Sequence, residues 1–484
     1  EEDYLAAKAL DPKFPVLVNV DDYGNFTSDV TLWAGMNIFD ANPKIIETLK
    51  ANGQLVKKEQ YKHSYPFSPR SKQKLIYRAT EAWYIDVPKI RDRLIANNNK
   101  VDWKSAGPRF AAWLEGARPW GISRNRFWGV PLPIWTNDAG EYKVFGSIAE
   151  MEEFFGEKIT DLHRPTLDKL EKDGFKRIPD VLDAWFESGS MPFAHMHYPF
   201  ENAEIVDKPD YMSDYIVEGQ DQTRGWFYTL MVLSTALFDR PAFSTISANG
   251  MSVDEHNKKM SKSLGNSPDP LELIDKYGAD GVRMGMMLSA PAGNDIPFDE
   301  ALCEQGRNFN NKIWNAFRLI KGWEVSGDAE LPEAAKLATH WFESVQNRTA
   351  AEVADLFSKY RISEALMAVY KLFWDEFSSW YLEMIKPAYG QPISRTVYSA
   401  TLSFMDNLLH LLHPFMPFIT EELWQQMYER ETGESLMVSQ LTVGTSVDEP
   451  FVKSFDIAKE VISNIRTIRL QKNIAQKEEL QLQV

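Results

Sequence analysis

Residues 257–266 read NKKMSKSLGN, and this stretch determines both the fold class and the function that we infer for the chain. Lys259 and Lys262 flank a small Met-Ser pair, and a Leu-Gly-Asn turn follows. A loop of this kind can close over a triphosphate and place two mobile ammonium groups where pyrophosphate charge develops. Lysine suits this task because its ammonium is a compact charge on a flexible stem. A solvated basic loop is the alternative for an isolated Lys-x-x-Lys pair, but the ten-residue string is much more specific than such a pair.

The segments before this loop predict an open parallel α/β sheet. Ile216 and Val217 indicate a strand that ends at Glu218, residues 226–237 form a largely apolar helical pattern, and residues 245–250 indicate the next strand. That second strand leads directly into the lysine loop. Open parallel sheets bind ligands at the carboxyl ends of their strands, so a ligand crevice is predicted there.

Residues 218–227, EGQDQTRGWF, place acids, an amide and an arginine at this strand-to-helix corner. Trp226 offers an apolar wall for an aliphatic side chain, and Glu218 can accept hydrogen bonds from an ammonium group. An ion-paired helix N-terminus is the alternative. The position one strand upstream of the lysine loop favours a binding role.

The lysine stretch resembles the second signature, Lys-Met-Ser-Lys-Ser, of the class I aminoacyl-tRNA synthetases. Neighbouring segments resemble the members that act on branched aliphatic amino acids, and the resemblance covers nearly the whole chain. It implies ATP-dependent ligation of an amino acid to tRNA through an aminoacyl-adenylate, with ATP and Mg²⁺ as cofactors. It implies that Lys259 and Lys262 are catalytic. The ATP-binding residues that it implies are Lys259, Met260, Ser261, Lys262 and Ser263.

Residues 218–227 are similar to the amino-acid pocket of the isoleucine enzymes. The amino-acid or adenylate-binding residues that this similarity implies are Glu218, Gly219, Asp221, Gln222 and Trp226. After the lysine stretch, residues 291–295, 303–309 and 411–418 resemble the valine enzymes instead. We therefore expect isoleucine and its tRNA as substrates, with valine and its tRNA as the close alternative. A seam near residues 259–266 would indicate a mosaic chain; shared ancestry of the two groups is the other explanation.

The first class I signature, of His-Ile-Gly-His type, does not occur in the chain. Because that signature belongs to the other half of the nucleotide-binding fold, we interpret the chain as a fragment that does not form adenylate alone. A catalytically inactive tRNA-binding fragment is the alternative from another functional class. Asp3 resembles the aspartate that ends the editing motif of the family, which implies an editing role for Asp3 in the complete enzyme.

The predicted fold is the second half of a Rossmann-type α/β nucleotide-binding domain, followed by an all-α helical bundle that binds the anticodon. Residues 1–60 are interpreted as a remnant of the inserted editing domain, and 61–304 as the catalytic half-domain. Residues 305–340 are predicted to be stem-contact helices, 341–450 the anticodon-binding bundle, and 451–484 the start of a C-terminal extension. Apolar stripes at helical spacing predict the bundle core. Their members are Leu366, Val369, Tyr370, Phe373, Phe377, Trp380, Tyr381, Val397, Met405, Leu408, Leu409 and Leu412.

Local signals also predict helix ends. Asn42 and Pro43 are expected to begin a helix that Gly53 terminates, while Asp280 and Thr420 are expected to cap two later helices. The net charge is −16, which argues against a general nucleic-acid binder but leaves room for local basic patches. With one cysteine and no clustered histidines, no metal site of protein ligands is expected. We expect a monomer in the cytoplasm without membrane contact.

Overall fold

A computed structural model gives the fold and describes residues 2–68, 70–254, 256–262, 264–289, 294–327, 331–475 and 477–481. Its α-helices are α1 (Glu2–Leu10), α2 (Ile38–Ala51), α3 (Arg91–Asn98), α4 (Gly107–Glu115), α5 (Ile148–Phe155), α6 (Arg164–Leu167), α7 (Ala184–Gly189), α8 (Met191–Ala194), α9 (Ala203–Val206), α10 (Trp226–Phe238), α11 (Pro270–Tyr277), α12 (Ala279–Leu288), α13 (Glu300–Lys321), α14 (Glu333–Ser358), α15 (Ile362–Lys371), α16 (Leu382–Ile385), α17 (Arg395–Leu412), α18 (Pro417–Met427) and α19 (Glu449–Gln471). Its strands are β1 (Tyr84–Ile85), β2 (Asp102–Trp103), β3 (Trp120–Gly121), β4 (Ser123–Arg124), β5 (Ile134–Thr136), β6 (Tyr142–Val144), β7 (Lys176–Arg177), β8 (Val181–Leu182), β9 (Ser213–Gly219), β10 (Phe243–Asn249), β11 (Ser252–Val253), β12 (Ile296–Pro297), β13 (Val325–Ser326) and β14 (Ile393–Ser394). Short 3-10 helices cover Val87–Ile90, Gln220–Arg224 and Leu436–Val438, and a π-helix covers Leu372–Tyr381.

The chain divides into two compact units, of which the first comprises Glu1–Val87 and Arg118–Phe186. This unit pairs β1 with β3 and β4 with β8, both antiparallel, and β5 lies between β6 and β7. Trp135 on β5 is fully buried against Met151, Leu167 and Phe175. The small antiparallel sheet therefore packs against an apolar cluster of its own.

The N-cap of α2 lies five residues before the predicted N-cap Asn42, so that prediction is wrong. Asn37 is the N-cap, and its side-chain oxygen accepts a hydrogen bond from the Phe39 N–H at 3.1 Å. Pro43 therefore lies inside the helix rather than in its first turn. The predicted end is confirmed, because Gly53 follows the helix with a φ of 70° that favours glycine.

The second unit comprises Pro88–Ala117 and Glu187–Val484 and contains the parallel sheet β2–β10–β9. Both predicted strands are confirmed as β9 and β10, and the predicted apolar helix is confirmed as α10. Residues 227–235 of α10 are all buried, which is why this helix is apolar on every side. The side-chain amide of Asn97 on α3 also donates to Thr235 at 3.2 Å. The α/β architecture expected around the lysine loop is therefore present.

A helical bundle follows the sheet within the same unit, and its predicted core is largely confirmed. Of the predicted stripe residues, those that are buried in one continuous cluster are Leu366, Val369, Phe373, Phe377, Tyr381, Val397, Met405, Leu408, Leu409 and Leu412. Tyr370 and Trp380 are only partly buried and pack against this cluster. Helices α12 and α13 approach so closely that a Cβ on Gly306 would lie 2.5 Å from the Gly281 carbonyl oxygen.

Asp280 connects two helices that are distant in sequence, and the prediction that it caps its own helix is wrong. It lies inside α12, and its carboxylate accepts hydrogen bonds from the N–H groups of Phe418 at 3.3 Å and Ile419 at 2.7 Å. These donors belong to the first turn of α18, whose N–H groups have no partner within the helix. A local sequence pattern cannot reveal a cap that is supplied from another helix.

The prediction that Thr420 caps a helix beginning at Glu421 is also wrong, because α18 begins at Pro417. The Thr420 hydroxyl donates instead to the Met416 carbonyl at 2.8 Å. It also forms a hydrogen bond of 2.7 Å with Nδ1 of His413, which is buried beside it. Thr420 is thus part of the packed start of α18 rather than its cap.

The Asp280→Asn variant should change how stability depends on pH. Burial raises the pKa of the Asp280 carboxyl, and the two N–H donors only partly oppose that rise. The folded chain therefore holds this proton more tightly than the unfolded chain does. The contribution of this proton to the free energy of unfolding is complete below the ordinary aspartate pKa of about 4. It is lost as the pH rises through the pKa of Asp280 in the folded chain.

Denaturant unfolding of both proteins between about pH 4 and pH 7 measures this effect. We expect the wild type to lose stability relative to Asp280→Asn as the pH rises. The exposed Asp275 on α11 offers a matched control, Asp275→Asn, for which the difference from wild type should stay flat. A flat difference for Asp280→Asn as well would contradict the prediction.

Candidate active site

Strands β9 and β10 bring the predicted pocket segment and the root of the lysine loop to the same edge of the sheet. The two strands are parallel, with Ala248 opposite Glu218 and Asn249 opposite Gly219. The carboxyl ends of parallel strands meet at one sheet edge, which is where such sheets bind ligands. The structure therefore places Glu218 one strand away from the point at which the lysine loop begins.

The turn after β9 is a 3-10 helix, Gln220–Arg224, that leads into α10. Gln222 organises this corner, since its side-chain oxygen accepts a hydrogen bond from the Trp226 N–H at 2.9 Å. The indole N–H of Trp226 donates to the Ser188 carbonyl at 3.0 Å, which fixes the ring at the start of the helix. The sequence motif predicts that Gln222 is a pocket residue but does not indicate its hydrogen bond to the first residue of α10.

Glu218 and Asp221 are exposed at this corner, whereas Gly219 and Trp226 are half-buried. A Cβ at position 219 would lie 2.7 Å from Oδ1 of Asp221, so the Asp221 side chain lies directly over the glycine. Two carboxylates are thus available to solvent beside an indole that is held in place. This combination can receive a ligand that has a cationic group and an apolar side chain.

The lysine loop is closed at its base by hydrogen bonds that the sequence analysis did not identify. Oδ1 of Asp254 accepts from the N–H groups of His256 and Lys258, both at 2.9 Å. Its Oδ2 accepts from the side-chain amide of Asn266, also at 2.9 Å, and Oδ1 of Asn266 accepts from the Ser261 N–H at 2.9 Å. The loop is therefore fastened at both ends by one Asp–Asn pair.

The same contacts hold Asp254 in its charged form. The hydrogen bond from Asn266 and the Lys258 backbone N–H lower the pKa of the Asp254 carboxyl below its usual range. Asn266 stands at the end of the quoted stretch, but Asp254 precedes it. The sequence feature that could have indicated this role of Asp254 is its position directly after a strand, where an aspartate side chain commonly closes a turn.

Lys259 and Lys262 have exposed side chains, and Met260 and Ser261 between them are half-buried. The N–H of Met260 donates to the Ser252 carbonyl at 2.9 Å, so this part of the loop packs back on β11. The predicted ATP-binding residue Ser263 lies outside the described residues. Two ammonium groups are therefore presented to solvent from a loop whose base is fixed.

Three further expectations concern the editing residue, a metal site and membrane contact. The side chain of Asp3, the predicted editing residue, lies outside the described residues. Among the residues that the structure describes, no group of three or more His, Cys, Asp and Glu side chains could hold a metal ion. None of the helices in the described part of the chain is long and apolar enough to cross a membrane.

Two family models match the chain. Residues 27–299, more than half of its length, match tRNA synthetases class I (I, L, M and V), and residues 339–484 match the anticodon-binding domain of tRNA ligase. The match to these two models agrees with the predicted order of an α/β domain followed by a helical domain.

Several curated proteins are similar along nearly the whole chain. A valine–tRNA ligase of Bacteroides thetaiotaomicron is 52% identical over 473 residues, which cover 96% of this chain and 53% of that relative. A valine–tRNA ligase of Phocaeicola vulgatus is 50% identical over 471 residues, with 96% of this chain and 53% of the relative covered. An isoleucine–tRNA ligase of Protochlamydia amoebophila is 39% identical over 454 residues, with 90% and 43% covered. The chain thus spans about half the length of the relatives it matches.

Among solved structures, a methionyl-tRNA synthetase of Mycobacterium tuberculosis in complex with methionyl-adenylate has a TM-score of 0.54 and 18% sequence identity. The match covers 80% of this chain and 71% of that one. At this identity the likeness shows the fold alone, and it confirms the predicted fold class.

Proposed function

Because the chain belongs to the class I tRNA synthetases of the I, L, M and V type, we propose that it takes part in ATP-dependent attachment of valine to its tRNA. The observation that carries this proposal is that the lysine loop, which Asp254 and Asn266 close at its base, starts one strand away from the Glu218 corner. The Glu218 corner is formed by residues 218–226, where β9 leads into α10. The choice of valine corrects the expectation of isoleucine, since relatives at 50% and 52% identity are valine ligases and the isoleucine ligase is at 39%. Isoleucine remains the second candidate substrate.

In the proposed reaction, a carboxylate oxygen of the amino acid attacks the α-phosphorus of ATP. A new O–P bond forms the aminoacyl-adenylate, the bond to the β-phosphate oxygen breaks, and pyrophosphate leaves. Lys259 and Lys262 neutralise the charge that develops on the leaving group, and their exposure leaves both ammonium groups free to reach it. Met260, Ser261 and Ser263 complete the proposed ATP-contacting loop.

The amino acid is proposed to lie at the corner after β9. Glu218 and Asp221 are exposed carboxylates that can bind its ammonium group, and Trp226 supplies an apolar wall for the branched side chain. Gly219 has no side chain that would obstruct the amino acid. Gln222 holds the start of α10 through its hydrogen bond from the Trp226 N–H. We propose that Gln222 contributes to the amino-acid pocket through this hydrogen bond.

The remaining partners follow from the family. The helices of the second family match, residues 339–484, are proposed to contact the anticodon limb of the tRNA. Mg²⁺ is proposed to arrive with ATP, because this ion is commonly held by substrate phosphates and one or two carboxylates. Editing by Asp3, the monomeric state and the cytoplasmic location remain predictions.

A tRNA-binding chain without catalysis is the second candidate function. The observation that favours it is that residues 339–484 match the anticodon-binding domain of tRNA ligase independently of the lysine loop. This candidate differs from the first in what the loop lysines do, because a binding chain would not need them for chemistry.

An ATP–pyrophosphate exchange assay tests the proposal. We expect the chain alone to show no exchange, and exchange to appear when the N-terminal region of a valine relative is supplied. Valine should exceed isoleucine in kcat/KM by at least about tenfold, since apolar pockets discriminate a methylene by roughly that factor or more. Robust exchange by the chain alone would contradict the expected dependence, and a preference for isoleucine would reverse the substrate assignment.

A further inference from the structure

The segment 294–298 forms the floor on which the lysine loop begins. Strands β11 and β12 are parallel, with Ser252 opposite Ile296. The Ile296 N–H donates to the Met251 carbonyl at 2.9 Å. Gly250 packs directly on this segment, because a Cβ there would lie 1.9 Å from the Asn294 carbonyl oxygen. The loop therefore leaves β10 over a backbone surface that fixes its direction.

Asp295 adds a contact from this segment to both parts of the proposed site. Its Oδ1 accepts a hydrogen bond from the Met251 N–H at 2.9 Å. The same oxygen accepts a second hydrogen bond from the side-chain amide of Gln220 at 3.3 Å. Met251 is the second residue after β10, and Gln220 is the first residue after β9. One carboxylate oxygen thus joins the root of the lysine loop to the amino-acid corner.

We propose that Asp295 is a positioning residue that couples the conformation of the lysine loop to the position of Gln220 at the amino-acid corner. The inference rests on the proposed function, since that function assigns ATP to the loop and the amino acid to the corner. Both donors share one acceptor atom, so a shift of Gln220 changes the geometry available to Met251. Met251 is held on its other side by Ile296, so the shift is passed along the loop backbone. The two substrates would then bind cooperatively, through a contact that touches neither of them.

A purely local role for Asp295 makes a different prediction. If the carboxylate only closes the turn at 294–298, then removing Gln220 leaves the loop unchanged. A positioning role requires that removal of Gln220 reaches the loop and that this effect needs Asp295. A double-mutant cycle separates the two, because it measures the coupling of a pair apart from the cost of each substitution.

Amide hydrogen exchange on the chain as it stands is the decisive experiment. We expect Asp295→Ala to speed exchange at Met251 and through residues 256–262 by about fivefold, the range for loss of one exposed hydrogen bond. Asp295→Asn should restore protection because its amide oxygen still accepts. Gln220→Ala should give a smaller rise, and adding it to Asp295→Ala should change nothing further.

Asp299→Ala is the matched control, because Asp299 directly follows the segment 294–298 and its carboxylate accepts the Ala301 N–H at 2.9 Å as the cap of α13. It should leave loop exchange within about twofold of wild type. The proposal is overturned if Gln220→Ala leaves the loop unchanged, if the double variant is additive, or if Asp299→Ala matches Asp295→Ala.

Steady-state ATP–pyrophosphate exchange, measured with the N-terminal region of a valine relative supplied, gives a second readout. In the wild type, saturating amino acid should lower the KM for ATP, and Asp295→Ala should remove this dependence while kcat falls less than the KM rises. Asp295→Asn should regain it. If even the wild type shows no exchange, the proposed function fails while the loop measurements still decide the role of Asp295.

Discussion

Replacing both loop lysines with alanine should lower adenylate formation by about 10³- to 10⁴-fold. Loss of a single group that stabilises developing charge commonly costs about 10²- to 10³-fold in kcat, and the effects of groups that act together are less than multiplicative. Lys259 and Lys262 are both exposed on one fastened loop, so their removal should leave the fold intact. ATP–pyrophosphate exchange with the supplied N-terminal region measures the rate, and filter binding measures tRNA affinity.

The matched control is Lys258→Ala, which removes a neighbouring exposed ammonium from the same loop. The hydrogen bond from its backbone N–H to Asp254 does not depend on the side chain. We expect its exchange rate to stay within about threefold of wild type, and we expect tRNA affinity to be preserved in the double variant. Exchange that survives the double substitution would contradict the proposed role of the two lysines, whereas no exchange even in the wild type would favour the non-catalytic tRNA-binding candidate.

The location of the candidate site could be predicted because it depends on strand ends, which local patterns reveal. Residues 216–218 and 245–250 each indicate a strand that ends in polar residues or glycine, and the parallel register of β9 and β10 brings those ends together. The fastening contacts could not be predicted in the same way. Asp254 and Asn266 meet only because the loop closes, and Asp295 reaches Met251 and Gln220 from a distant segment.

The fold shows the same difference between features that local sequence patterns predict and contacts between distant segments, which they do not predict. Helical periodicity identifies the buried face of a helix, so Phe377 and Leu408 could be assigned to the core from spacing alone. Periodicity does not identify the partner of a buried polar group. Asp280 was therefore assigned to its own helix, although it caps α18. The π-helical geometry of Leu372–Tyr381 also has no counterpart in the apolar spacing, which a regular helix would satisfy as well.

The substrate identity was the least predictable property. A methylene is the difference between valine and isoleucine, and the Glu218 corner offers features that suit either side chain. The segment resemblances favour isoleucine at the corner and valine after the lysine loop, and the valine relatives at 52% and 50% identity over 96% of the chain support the proposal of valine. The mosaic interpretation stays a prediction, because one alignment over the whole chain does not test the origin of each part.

Phe377→Ala should destabilise the helical bundle more than any surface substitution in it. Phe377 lies in the π-helical segment and is fully buried, with its ring 5.2 Å from Phe342, 5.5 Å from Phe373 and 5.6 Å from Tyr381. Truncation of a buried phenylalanine removes its apolar transfer energy and leaves a cavity that dense packing cannot fill. The expected loss in the free energy of unfolding is about 3–5 kcal/mol.

Denaturant unfolding followed by far-ultraviolet circular dichroism measures that loss, because the bundle supplies much of the helical signal. Phe418→Ala is the matched control: the same substitution at a ring that is 64% exposed should change stability by no more than about 0.5 kcal/mol. Equal shifts in the two variants would mean that the aromatic cluster around Phe377 does not hold the bundle together. A large shift confined to Phe377→Ala, accompanied by weaker tRNA binding, would show that this core supports the helices proposed to contact the anticodon limb.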